Sequence, residues 1–112
     1  MNKKCRFSVI ISAYNVEEYI ERAINSVLNQ NFNDYELIAV EDSSTDNTLE
    51  KIMKYGEKIK IIKNEKNRGL GAVRNIGIEN AVGEYIVHLD GDDTLYNEST
   101  LKDIDKTIGD SK

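Results

Sequence analysis

An α/β fold built on a mainly parallel sheet is predicted by three observations. The chain carries four short, β-branched apolar segments, amphipathic helical segments between them, and connections of only a few residues. Strands alternating with helices require right-handed crossovers, so a three-layer, doubly wound α/β/α arrangement with a Rossmann-like sheet is expected. The length of 112 residues suits one domain covering 1–112. With 39% hydrophobic and 31% charged residues, the chain can build a core and is not disordered by composition.

Phe7-Ser8-Val9-Ile10-Ile11-Ser12-Ala13 reads as a strand covered on both faces. Asn15, with Glu18 three residues later, has the form of a capping box opening the first helix. Val16, Tyr19, Ile20, Ala23, Ile24, Val27 and Leu28 then form a one-sided apolar stripe that packs on the sheet. Tyr35 to Val40 is the second strand, ending in Glu41-Asp42 and the small polar run Ser43 to Thr48, which can cap a second helix. In that helix Leu49, Ile52 and Met53 are expected to face the core, with Gly56 near its end. Lys58-Ile59-Lys60-Ile61-Ile62-Lys63 alternates and suits a sheet edge. A third helix is expected over Leu70 to Ala81. Gly83 should break the chain before a fourth strand, Glu84 to Leu89, and a weaker amphipathic segment carrying Leu101, Ile104 and Ile108 closes the chain.

Several classes are excluded. A net charge of −5 does not suit a surface that coats nucleic acid. One cysteine, Cys5, makes no internal disulfide and has no metal-ligand spacing around it. No apolar run approaches the ~20 residues that span a membrane, and the first residues do not form a signal peptide. A soluble, cytoplasmic location is therefore the expectation.

Ligands of open α/β sheets bind beyond the carboxyl ends of the strands. The polar clusters fall there: Ser12 to Asn15, Glu41-Asp42, and Asp90-Gly91-Asp92-Asp93. Three carboxylates within four residues repel one another unless a cation neutralises them, and hard ions such as Mg²⁺ or Mn²⁺ prefer oxygen. Gly91 is expected to supply an unusual backbone angle. An EF-hand is excluded, because its glycine position would hold Leu95 and its glutamate position Leu101. Asp42 can accept from a ribose hydroxyl or a base N–H, or else cap the helix that follows. Arg74 can pair with phosphate or stack on a base, although a lone arginine on a helix is commonly a surface residue. His88, the only histidine, lacks a nucleophile partner and reads as structural, on the strand face that carries Asp90. The first turn, Ser12-Ala13-Tyr14-Asn15, contains no glycine, which excludes the dinucleotide fingerprint; the P-loop pattern is also absent.

Four stretches in order resemble a known family. Ser8 to Asn15 is similar to V-S-V-I-I-P-x-Y-N, and Val40 to Thr48 is similar to V-D-D-G-S-T-D-x-T. Asn67 to Gly77 is similar to N-x-G-x-x-x-A-R-N-x-G, and Leu89 to Asp93 to L-D-x-D-D, that family's form of the DxD metal motif. The chain thereby resembles the nucleotide-sugar-binding half of a family 2 glycosyltransferase of GT-A fold. It departs from the pattern at Ser12 for proline, Glu41 for aspartate and Ser43 for glycine.

The resemblance implies an inverting glycosyltransferase taking a nucleotide-sugar donor, usually a UDP-sugar, and a glycan or lipid-linked acceptor in polysaccharide synthesis. It implies that Ser12, Tyr14 and Asp42 hold the base and ribose, with Ala13 and Glu41 in the same nucleotide-sugar site, that Arg74 faces the nucleotide, and that Asp90 and Asp92 contact ribose or sugar. Asp93, with or without Asp92, would hold Mn²⁺ or Mg²⁺. It also implies work at the cytoplasmic membrane face. Nothing after Asp93 matches the family's general base or acceptor segments; Asp103, Asp105 and Asp110 read as helix-surface charges. The domain is thus expected to stop before the acceptor half, leaving an open sheet edge that favours a homodimer. Two other readings stay open: a non-catalytic nucleotide-binding module, and a sugar nucleotidyltransferase, whose glycine-rich first turn is missing.

Overall fold

A computed structural model describes residues 4–109. The elements run β1 (Cys5–Ala13), α1 (Ile20–Leu28), β2 (Tyr35–Glu41), α2 (Thr48–Met53), a 3₁₀ turn (Gly56–Lys58), β3 (Lys60–Lys63), α3 (Leu70–Glu79), β4 (Gly83–Asp90) and α4 (Thr100–Ile108). The sheet is wholly parallel in the order β3-β2-β1-β4. The chain steps outward from β1 to β3, then crosses back to place β4 on the other side of β1. A topological switch point therefore lies between β1 and β4. The expected α/β/α layering is present.

Register decides what reaches the rim. Ile10 lies opposite Ile38 on one side and His88 on the other, Ser12 opposite Val40 and Asp90, and Ala13 opposite Glu41. Three strands therefore end at nearly one level. The alternation of β1 sends Phe7, Val9, Ile11 and Ala13 to one face, where they pack with Ala23, Ile24 and Val27 of α1, Ile52 of α2 and Leu101 of α4. Ile10, Ile38 and Val40 meet Val73 of α3 on the other face.

Local details differ from expectation for physical reasons. Asn15 and Glu18 do not cap α1, which begins only at Ile20 without a side-chain cap. Asn15 instead takes a left-handed conformation (φ 51°), which asparagine tolerates well. Met53 is exposed rather than in the core, and Leu49 is half-buried, because the six-residue α2 is anchored through Thr48 and Ile52. The 3₁₀ turn takes up Lys58, so β3 is shorter than its alternation suggests, and α3 stops two residues early. β3 does lie at the sheet edge. Gly83 does not interrupt the chain; it is the first residue of β4, where a Cβ would stand 2.5 Å from the backbone nitrogen of Ser8.

α4 is held across the strand starts by Arg6. Its Nε donates to Asp105 (2.8 Å), its Nη2 to the carbonyl of Gly109 (2.8 Å) and its Nη1 to Glu84 (3.1 Å). Asp105 is therefore an ion-pair partner, not a free surface charge; Asp103 is exposed, and Asp110 lies outside the described residues. No helix among the described residues is long and apolar enough to cross a membrane.

Two glycines of α3 make opposite predictions. A Cβ on Gly77 would lie 2.5 Å from Ile10 Cγ2, whereas one on Gly71 meets only open space. Gly77→Ala should destabilise by about 1–3 kcal/mol through overpacking. Gly71→Ala should stabilise by about 0.5–1 kcal/mol by restricting the unfolded chain. Urea unfolding of both variants checks this, and a Gly77→Ala variant as stable as the parent would contradict the close packing of α3 on β1.

Candidate functional site

The strand ends enclose a cavity of about 370 Å³, lined by Ser12, Ala13 and Tyr14 at the end of β1, Asp42 after β2, and Asp90 to Asp92 at the end of β4. Asn67, Gly69, Leu70 and Val73 close it from the start of α3. Tyr14 and Leu70 are each nearly half exposed and present apolar surface. Asn67 and Gly69 of the α3 wall belong to one of the sequence motifs, whereas nothing in the local pattern marks Leu70 or Val73 as cavity-lining.

Two backbone hydrogen bonds fix the rim. Asp42 N–H donates to the carbonyl of Ala13 (2.9 Å), and Gly91 N–H to the carbonyl of Ser12 (2.8 Å). A Cβ on Gly91 would sit 2.9 Å from that same Ser12 oxygen and 2.8 Å from Val16 Cγ2. Gly91 is thus required for close approach and not for a left-handed backbone, since it is absent from the positive-φ glycines.

The loops after β1 and β2 clasp one another. Asn15 Oδ1 accepts from the Thr45 N–H (2.8 Å), while Ser44 Oγ accepts from the Asn15 N–H (3.0 Å). Thr48 Oγ1 accepts from Val16 N–H (2.9 Å) and Asp46 from Glu17 N–H (3.3 Å). The free amides leading into α1 are thereby satisfied from a different loop. Asp46 also accepts from the Thr48 amide and hydroxyl. Burial opposes ionisation of Asp46, but these donors outweigh it and hold the carboxyl below its ordinary range.

Asp42 is buried, and its role differs from a cap on α2. Its Oδ1 accepts from Asn64 Nδ2 (2.8 Å) and Arg68 N–H (2.9 Å), and its Oδ2 from Gly69 N–H (3.0 Å). It therefore ties down the loop that enters α3. Glu41 does not line the cavity. It is 1% exposed, and its carboxylate accepts from Ser43 N–H (3.3 Å) and Ser44 N–H (2.7 Å).

Arg74 is not among the residues that line the cavity, but its Nη2 lies 3.7 Å from Oδ1 of Asp90, which is. Its Nε is buried and has no hydrogen-bond partner among the described residues. His88 is exposed on β4, on the face of Ile10 and Asp90. Partial loss of solvent around the ring, and then the Arg74 guanidinium, push its imidazole below the ordinary value, with Asp90 acting in the opposite sense. Asp90, Asp92 and Asp93 each offer a carboxylate oxygen within 4.8 Å of the others. Asp90 is half-buried, and Asp92 and Asp93 are exposed. An ion held at ~2.1 Å places neighbouring donors ~3 Å apart and opposite donors ~4.2 Å apart, so these three are the described carboxylates near enough together to be candidates for one.

Sheet order, crossovers and the polar rim at the switch point define a Rossmann-like α/β protein of GT-A type. The chain matches "Glycosyl transferase family 2" over residues 8–110 and belongs to that family. It is 41% identical over 103 residues to the poly(ribitol-phosphate) beta-N-acetylglucosaminyltransferase TarS of Staphylococcus aureus (strain Mu50), covering 88% of this chain and 18% of TarS. An uncharacterized glycosyltransferase of Haemophilus influenzae is 39% identical over 100 residues, covering 87% of this chain and 40% of that protein. Among solved structures, S. aureus TarS 1–349 in complex with UDP-GlcNAc superposes with a TM-score of 0.87 at 40% identity, over 92% of this chain and 31% of that one. The mannosyltransferase PcManGT from Pyrobaculum calidifontis, at 24% identity, shares the fold with a TM-score of 0.88, over 96% of this chain and 33% of its own. The chain spans less than half the length of each of these relatives.

The departure from the family pattern at Ser43 has a conformational cost. Ser43 stands at φ 65°, a left-handed conformation in which glycine is free of Cβ strain. Ser43→Gly should stabilise the chain by about 1 kcal/mol, since the hydroxyl it removes makes only a 3.5 Å contact with the Glu65 carbonyl. Thermal unfolding reads the change, and a lower midpoint for Ser43→Gly would show the strain to be absent.

Proposed function

We propose that this chain is the donor-binding part of an inverting glycosyltransferase. It holds a nucleotide-diphosphate sugar, a UDP-sugar in the first instance, for transfer to a glycan or lipid-linked acceptor in polysaccharide synthesis. One observation carries the reading: three strand ends deliver Ser12 to Tyr14, Asp42 and Asp90-Gly91-Asp92 to a single cleft, with Asp93 next in the same turn. Support comes from the S. aureus TarS structures, at about 40% identity, which were solved with UDP-GlcNAc and with UDP.

Each residue has a role that follows from its place. Tyr14, exposed at the mouth, offers a ring face to a base. The Asp42 carboxylate accepts from base or ribose donors, and Ser12 and Ala13 form the floor. Arg74, with an unpartnered Nε and with Asp90 close by, pairs with phosphate. Asp90 and Asp92 accept from ribose or sugar hydroxyls. Asp92 and Asp93, with Asp90 near them, hold Mg²⁺ or Mn²⁺ in the manner of a DxD motif. The bound ion supplies charge neutralisation for the departing diphosphate. Glu41 acts indirectly, by shaping the turn that follows Asp42. No residue of this chain is assigned as the general base on the acceptor hydroxyl. Donor hydrolysis or sugar transfer by the chain distinguishes this reading from a module that binds nucleotide without reacting it.

Titration calorimetry of UDP tests the proposal. Affinity should rise at least about tenfold when Mn²⁺ is added, and Asp92→Asn/Asp93→Asn should abolish that gain. Equal affinity with and without the ion would overturn the metal reading, and no binding in either condition would overturn the nucleotide reading.

A further inference from the structure

We infer that Asn64 is a positioning residue, whose buried amide sets the orientation in which Asp42 faces the cleft. Asn64 follows β3, is only 7% exposed, and donates from Nδ2 to Asp42 Oδ1 at 2.8 Å. An ionised carboxylate only accepts, so chemistry requires the amide nitrogen, and not its oxygen, to face Asp42.

The three donors to the Asp42 carboxylate are not equivalent. Arg68 and Gly69 offer backbone N–H groups from the loop that Asp42 itself holds. Asn64 is anchored separately, because its own N–H donates to the Glu41 carbonyl at 2.8 Å and continues the β2–β3 pairing. It is thus the one donor whose place does not depend on the loop. A carboxylate offers about four acceptor positions. Two on Oδ1 and one on Oδ2 are taken, which leaves one on Oδ2 for a group in the cleft. Rotation of the carboxylate would redirect that position and release the loop. The consequence for ligand binding rests on the nucleotide reading above; the orientation of Asp42 does not.

Two variants and two readouts test the inference. Asn64→Ala should lower hydrogen-exchange protection of the Arg68 and Gly69 amides in the ligand-free chain, leave the Gly91 amide unchanged, and weaken UDP binding in Mn²⁺ about tenfold. Asn64→Asp supplies a proton-dependent donor. Ionised, it repels Asp42; protonated, it donates as the amide does, and the neighbouring charge favours its protonation. Relative to wild type at each pH, its UDP affinity and its Arg68 and Gly69 protection should recover as pH falls from 8 towards 5.

A folded Asn64→Ala variant with wild-type protection overturns the inference. If that variant does not fold, a pH-independent Asn64→Asp profile overturns it. Loss of protection in a chain that binds no UDP supports the positioning role and refutes the nucleotide reading instead.

Discussion

The site depends on the two last carbonyls of β1. Ser12 and Ala13 are consecutive residues of an extended strand, so their carbonyls point to opposite sides. One receives Gly91 from the loop after β4, the other Asp42 from the loop after β2. The central strand thereby sets the separation of the two acidic loops. Because the switch point lies beside β1, these loops diverge above the sheet and leave a cleft between them. Glycine at 91 is a condition of this arrangement, since any side chain there would meet the oxygen being bonded.

A second layer of contacts converts polar loops into a rigid rim. Asn15, Ser44, Asp46 and Thr48 join the first two strand-end loops, Glu41 shapes the tight turn between them, and Asp42 reaches to the loop before α3. A buried carboxylate left unbonded is costly, so Glu41 and Asp42 stay buried only because several N–H donors converge on them. The result is a rim with few exposed apolar groups beyond Tyr14 and Leu70, and with unspent capacity at Asp42, Arg74 and the Asp90 to Asp93 turn. That combination suits a ligand with one flat face and a charged tail.

Most of the fold is legible in the chain because burial imposes a period. The continuous apolar run of β1 and the stripe through Ile20, Ala23, Ile24 and Val27 both announce their environment. The acidic turn after β4 was equally plain. What stayed hidden are side chains whose partners lie far along the chain. Asn15 resembles a helix cap locally, yet its amide is spent on a loop 30 residues away. Asp42 resembles a cap for α2, yet its donors come from 22 to 27 residues downstream. Gly83 looks like a break and Gly91 like a source of an unusual backbone angle, and both prove to be points where another backbone comes too near for a Cβ. Such requirements are set by register across the sheet, which local pattern does not encode.

The central claim is that a single nucleotide diphosphate occupies the cleft above β1 and touches all three strand-end loops at once. Amide chemical-shift mapping with UDP and Mg²⁺ tests it most directly. The predicted perturbations fall together on Ser12 to Tyr14, Asp42, Asn67 to Leu70 and Asp90 to Asp92, and saturate with one affinity. Shifts confined to one of these loops, or centred elsewhere on the chain, would contradict it.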